Sequence, residues 1–198
     1  YKKDNTGINC LSMSIILSEC LLASGIYARV VYMMPKAADD GDNHVVAEAF
    51  IAEWNKWIML DPTYGSYCCD SSGEVLNLYE IRKRIINDEE YFFSDKLNYN
   101  RETVSDLADL KEYYAKNLFF LRSKARQGYG MHREYGDMVE MAPINFDVHE
   151  RMLLNLQYRI HEYGECDLFT DWMSYESQLD NRYVDIESFY EPPCDREN

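Results

Sequence analysis

Between residues 10 and 22 the chain is apolar at Leu11, Met13, Ile15, Ile16, Leu17, Cys20, Leu21 and Leu22, too densely for a single stripe along a helix. The pattern predicts a helix that is apolar around most of its circumference, hence central and buried. Asn9 is a good N-cap for it, and Gly25 stands where a left-handed residue would stop it. "IYARVVYMM" then turns to β-branched and aromatic residues and predicts a strand. Beyond the acidic loop "KAADDGDN", the segment "HVVAEAFIAEWNKWIMLDPTYG" alternates His44, Val46, Glu48 and Phe50 against Val45, Ala47, Ala49 and Ile51. This predicts a hairpin that turns near Asn55 and whose second strand ends at Asp61, ahead of Pro62.

From residue 77 the periodicity becomes mainly helical. "NLYEIRKRIIN" carries Asn77 and Glu80 at capping-box spacing. Further helices are predicted over 105–121, "SDLADLKEYYAKNLFFL", and over 146–164, where Val148, Met152, Leu153, Leu156 and Ile160 share a stripe. The tail after Cys166 has no clear period, and "EPPCDREN" should fray. The reading is an α+β chain with a core over 1–76 and a mainly helical extension over 77–198. No Gly/Ser linker divides them, so the extension should pack on the core.

Charge narrows the partners. With 20 basic and 35 acidic residues the net charge is −15, which repels phosphate backbones and anionic lipid and speaks against nucleic acid. The one basic cluster, "RSKARQGYGMHR" at 122–133, is short and reads as a solvated loop or a substrate rim. The uncharged run ending at Ser18 is shorter than the roughly 18 residues of a membrane span. The six cysteines show no C-x-x-C pairing and no N-x-[ST] sequon occurs, so reduced thiols and a cytoplasmic setting are the simpler expectation, although upstream targeting information could precede Tyr1. His44, His132, His149 and His161 have no zinc-site spacing, "DDGDN" lacks a calcium loop's ligand spacing, and the glycines of "GYGMHREYG" lack dinucleotide spacing. No metal and no cofactor are expected.

Three residues carry chemistry when read together. Cys10 occupies the first turn of a helix, where unpaired N–H groups and the macrodipole favour a thiolate. A nucleophilic thiolate needs an imidazole to take its proton, and the imidazole needs an acceptor to hold its tautomer. His44 opens one strand of the hairpin and Asp61 closes the other. A tight turn centred on Asn55 and Lys56 would set Asp61 opposite Phe50 and leave His44 on the order of 20 Å away. Facing the two residues therefore requires a wider loop or a bulge within "IAEWNKW", with the pairing centred near Ala52 and Glu53.

The cysteine heading a helix, then "SGIYARVVYM", "HVVAEAFI" and "KWIMLDPTYG", over roughly residues 7–65, resemble the transglutaminase-like superfamily in order and wording. The resemblance implies a papain-like core, a buried helix carrying the cysteine against an antiparallel sheet, with Cys10 as nucleophile, His44 as general base and Asp61 as its orienting partner. It departs from the family where "VVAEAF" follows the histidine in place of the usual aromatic. It implies acyl transfer through a Cys10 thioester on a peptide or protein substrate. Bare, bacterial-looking domains of this kind resemble amide and peptide hydrolases (cysteine proteases or amidases) more than protein-glutamine crosslinkers. The alternatives are such a crosslinking γ-glutamyltransferase and a catalytically inactive module that binds a peptide or protein in the same groove. Trp54 and Trp57 read as hairpin packing, with Trp57 a candidate for the wall of the substrate groove. Arg29 reads as a structural cation paired to a carboxylate, and "EYYAKNLFFL" as core and lid. Sequence leaves the oligomeric state open.

Overall fold

The computed structural model describes residues 8–99, 102–125, 138–164 and 182–193. Helix α1 (Cys10–Ala23) starts at Asn9, whose side chain accepts from the Ser12 N–H. It stops in a Schellman motif: Ile26 N–H donates to the Leu21 carbonyl and Gly25 N–H to that of Leu22, with Gly25 at φ +79. Strand β1 (Ala28–Met34) pairs antiparallel with β2 (His44–Ile51), and β2 with β3 (Lys56–Leu60). A two-residue β4 (Cys68–Cys69) precedes α2 (Leu78–Ile86), whose N-terminus carries the expected capping box between Asn77 and Glu80. Next come β5 (Phe92–Phe93), β6 (Asn98–Tyr99), β7 (Glu102–Thr103) and α3 (Leu107–Asn117). After them lie β8 (Phe120–Lys124), β9 (Met138–Met141), α4 (Val148–Tyr163), β10 (Arg182–Tyr183) and α5 (Ile186–Phe189).

The fold is α+β. Its central sheet has the strand order β10-β9-β8-β1-β2-β3, antiparallel except where β10 runs parallel to β9. The second half of the chain, read as mainly helical, thus supplies three strands of this sheet, and β8 pairs directly with β1. The helix predicted over 105–121 ends early, at Asn117, because Phe120 and Leu121 are drawn into β8 as fully buried sheet residues. Helix α4 follows its expected stripe, with Val148, Met152 and Leu156 buried. The tail beyond Cys166 is described only over 182–193. The basic cluster at 122–133 lies beyond residue 125 outside the described residues, as do Cys166, Cys194, His132 and the "GYGMHREYG" segment.

Alternation along the strands separates two faces. Val31, Met33, Val46, Met59 and Leu121 face one layer, where they meet Leu78 and Ile81 of α2 and Leu110 and Tyr114 of α3. Met34 and Phe120 face the other and meet Val148 and Met152 of α4. Helix α1 lies on this second face, with Ser14 Oγ donating to the Val45 carbonyl at 2.9 Å. It is not buried all round, as its composition predicted. Its buried positions are Ser14 and Ser18, because small side chains let the helix approach the β2 backbone closely, as Ser14 does at Val45, while Ile16 is left 54% exposed. Among the described residues, no helix is long and apolar enough to cross a membrane.

Candidate functional site

The geometry of the site begins in the β2–β3 hairpin. Pairing runs from Ile51↔Lys56 to Ala47↔Leu60, joined by a four-residue loop in which Ala52–Trp54 form a 3₁₀ turn and Asn55 is left-handed at φ 49. Asparagine tolerates that conformation better than most residues. The loop is irregular, as the His44–Asp61 pairing required, but its centre falls at Glu53 and Trp54, one position past the expected one. One step further along this register, Asp61 lies across from Val46. His44 is therefore its diagonal neighbour, two residues away on the same face, a separation that long side chains span. His44 Nε2 donates to Asp61 Oδ2 at 2.6 Å, and both residues are buried.

"DPTYG" holds the carboxylate from its own turn. Asp61 and Ser66 exchange two backbone hydrogen bonds, at 2.7 and 2.9 Å, across a turn that has Pro62 second and Gly65 at φ +60. Asp61 Oδ1 accepts the N–H groups of Thr63 (2.8 Å) and Tyr64 (3.3 Å). From α3, the Tyr114 hydroxyl donates to Oδ2 at 2.5 Å.

Cys10, half-buried at the first position of α1, completes the group beside His44, near enough that each shifts the titration of the other. With Nε2 engaged by Asp61, Nδ1 is the ring nitrogen that serves the thiol. Burial raises the Cys10 pKa, but the hydrogen bond and charge of His44, followed by the Val45 and Leu11 backbone N–H groups, bring it below its ordinary value. Burial likewise disfavours charge on His44. The charge and hydrogen bond of Asp61, then those of Cys10, outweigh it and raise the imidazole to about 9. Each group thus favours the charged form of the other.

Three tyrosines enclose the imidazole, with Tyr64, Tyr113 and Tyr114 ring centroids 5.8, 5.4 and 5.9 Å from it. Burial, then the Asp61 charge, pushes the Tyr64 phenol up to about 12, so it remains a protonated donor. The strand-opening histidine is also fixed from behind. The preceding acidic loop is gripped by Lys116 on Asp40 and Asp42, by Arg151 on the Ala37 carbonyl, and by Asn155 on that of Ala38. The Tyr113 hydroxyl donates to the Asn43 carbonyl. Sequence reasoning missed these supports. They lie some 50 to 120 positions away in a segment whose aromatic and basic residues follow ordinary helical spacing.

The structure brings Cys10, His44 and Asp61 together. It does not bring Trp57 to them. Trp57 lies four residues up β3 from Asp61, roughly 13 Å along the strand, and its ring is engaged elsewhere. It stacks on Phe50 and under the Arg29 guanidinium, and its indole N–H donates to the Glu191 carbonyl. Arg29 pairs with Glu48, its cross-strand partner, at 2.7 Å. Cys20 is exposed, while Cys68 is buried and its thiol is held protonated by that burial. Among the described residues, no group of three or more His, Cys, Asp or Glu side chains could hold a metal ion. Comparison with models of known families, with curated proteins and with solved structures returns no match.

Proposed function

We propose that the chain is a thiol-dependent acyl-transfer enzyme of transglutaminase-like type, built on a papain-like core, which hydrolyses an amide or peptide bond through a thioester on Cys10. The observation that carries this reading is the placement of a half-exposed Cys10 electrostatically coupled to His44, whose imidazole is in turn hydrogen-bonded to a firmly held Asp61.

The thiolate attacks the carbonyl carbon, and the carbonyl π pair moves to oxygen. The Cys10 backbone N–H, which no carbonyl within the helix can satisfy, is a donor available to that oxyanion. Collapse of the tetrahedral intermediate breaks the C–N bond, and the amine leaves with the proton of the His44 imidazolium. The neutral imidazole then deprotonates a water molecule, which attacks the thioester and releases the acid and the thiolate. A primary amine in place of that water would yield a new amide, the crosslinking outcome.

Selective alkylation with iodoacetamide across pH, with peptide mapping, tests the reading. Cys20 is the internal reference because it is the more exposed thiol. Cys10 is expected to react faster than Cys20 near neutral pH and to lose that advantage in His44→Ala. Uniform slow labelling would overturn the proposal and leave a peptide-binding groove.

A further inference from the structure

We infer that the Tyr114 hydroxyl is a positioning group for Asp61 and, through it, tunes how tightly His44 holds its proton beside Cys10, an inference that rests on the acyl-transfer reading of this site. Asp61 has four donors. Thr63 and Tyr64 N–H groups take Oδ1, whereas His44 Nε2 and the Tyr114 hydroxyl converge on Oδ2 at 2.6 and 2.5 Å. The turn amides fix where the carboxylate sits. Only the two side-chain donors compete for one oxygen.

That competition has a direction. The positive end of the Tyr114 O–H dipole draws carboxylate charge toward itself and away from the imidazolium. Both groups are buried, so solvent does not screen the effect. The hydroxyl stays protonated, since burial and then the Asp61 charge hold the Tyr114 phenol well above its ordinary value. Its ring is fixed edge-on by Phe93 at 5.1 Å. The length of the bond to Oδ2 matches a charge-assisted O–H···O⁻ contact.

The titratable groups around the centre come from every packed element. They are Cys10 of α1, Asp42 of the loop before β2, Tyr64 of the turn after β3, Cys68 of β4, Tyr99 of β6, and Tyr113 and Tyr114 of α3. Only Tyr114 donates a side-chain proton to Asp61 besides His44 among the described residues.

Tyr114→Phe removes the hydroxyl and keeps the ring. With the whole carboxylate charge then facing His44, the pH at which the His44 imidazolium loses its proton, followed by the NMR shifts of its ring C–H groups, should rise by about one unit, the scale of a hydrogen bond to a charged group. In an Asp61→Asn background the same substitution should leave that midpoint unmoved. Should Tyr114→Phe fail to fold, 3,5-difluorotyrosine at position 114 preserves the ring and makes a stronger donor, so the midpoint should fall.

A His44 midpoint that coincides with wild type in the folded variant, or in the fluorinated protein, overturns the inference, as does a shift that persists with Asp61→Asn. A Tyr114 that merely filled space would alter stability without moving that midpoint. Wild-type Cys10 reacting like Cys20 overturns the acyl-transfer reading as well, and so is told apart from failure of the Tyr114 inference alone.

Discussion

An imidazolium 2% exposed to solvent requires a resident counterion, and Asp61 supplies one 2.6 Å away. The arrangement has a pH signature. His44 is raised from its ordinary value near 6.5 to about 9, so its contribution to stability is complete below about 6.5 and is lost as pH rises through about 9. Cys10 acts in the opposite sense, because a depressed thiol value adds stability that is complete above the ordinary thiol value and is lost as pH falls through the lowered one. The two are separated in a Cys10→Ser background, where Asp61 still holds His44. There the urea midpoint should fall between pH 7 and 10, and the fall should vanish with His44→Gln; equal slopes in the two proteins would refute the assignment. Order along the chain made Cys10, His44 and Asp61 legible as a set, and strand parity allowed His44 and Asp61 a common face. Their diagonal offset was not legible, since it depends on how Ala52–Trp54 coil and on Asn55 accepting a left-handed backbone. Tyr114 could not be found at all, because its role exists only once α3 has docked on the sheet.

Elements were legible where local chemistry decides them. Asn77 and Glu80 gave the start of α2, and Gly25 the end of α1, because caps are read from neighbouring residues. Burial of α1 was misread for a complementary reason: apolar density says that a helix can be buried, whereas Ser14 and Ser18 decide which side approaches the sheet. The cap also bears on the site. Asn9 holds the Ser12 N–H and so keeps the first turn intact at the position where the thiolate forms. Asn9→Ala should cost about 1 kcal/mol of stability and shift the onset of Cys10 alkylation to higher pH. Loss of stability with an unchanged alkylation profile would separate the cap from the thiol.

Across the whole molecule, the two halves are joined by a buried charge cluster. Arg29 pairs with Glu48 and donates to the Phe189 carbonyl, while Glu48 accepts from Leu78 N–H and the Tyr190 hydroxyl. One pair on adjacent strands thereby fastens both the start of α2 and the 186–190 segment to the sheet. Removing one member of a buried pair costs about 3–5 kcal/mol because the other charge is stranded. Arg29→Met should therefore lower stability on that scale and expose 182–193 to limited proteolysis; protease resistance equal to wild type would refute the fastening role. The same geometry, followed in time, orders events during synthesis. Cys10, His44 and Asp61 leave the ribosome well before β8 can close the sheet and α3 can bring Tyr114 to the carboxylate. The emerging chain therefore holds Cys10, His44 and Asp61 before the elements that bury and steady them exist, and the full set of contacts around the imidazole forms only once α3 has docked on the sheet.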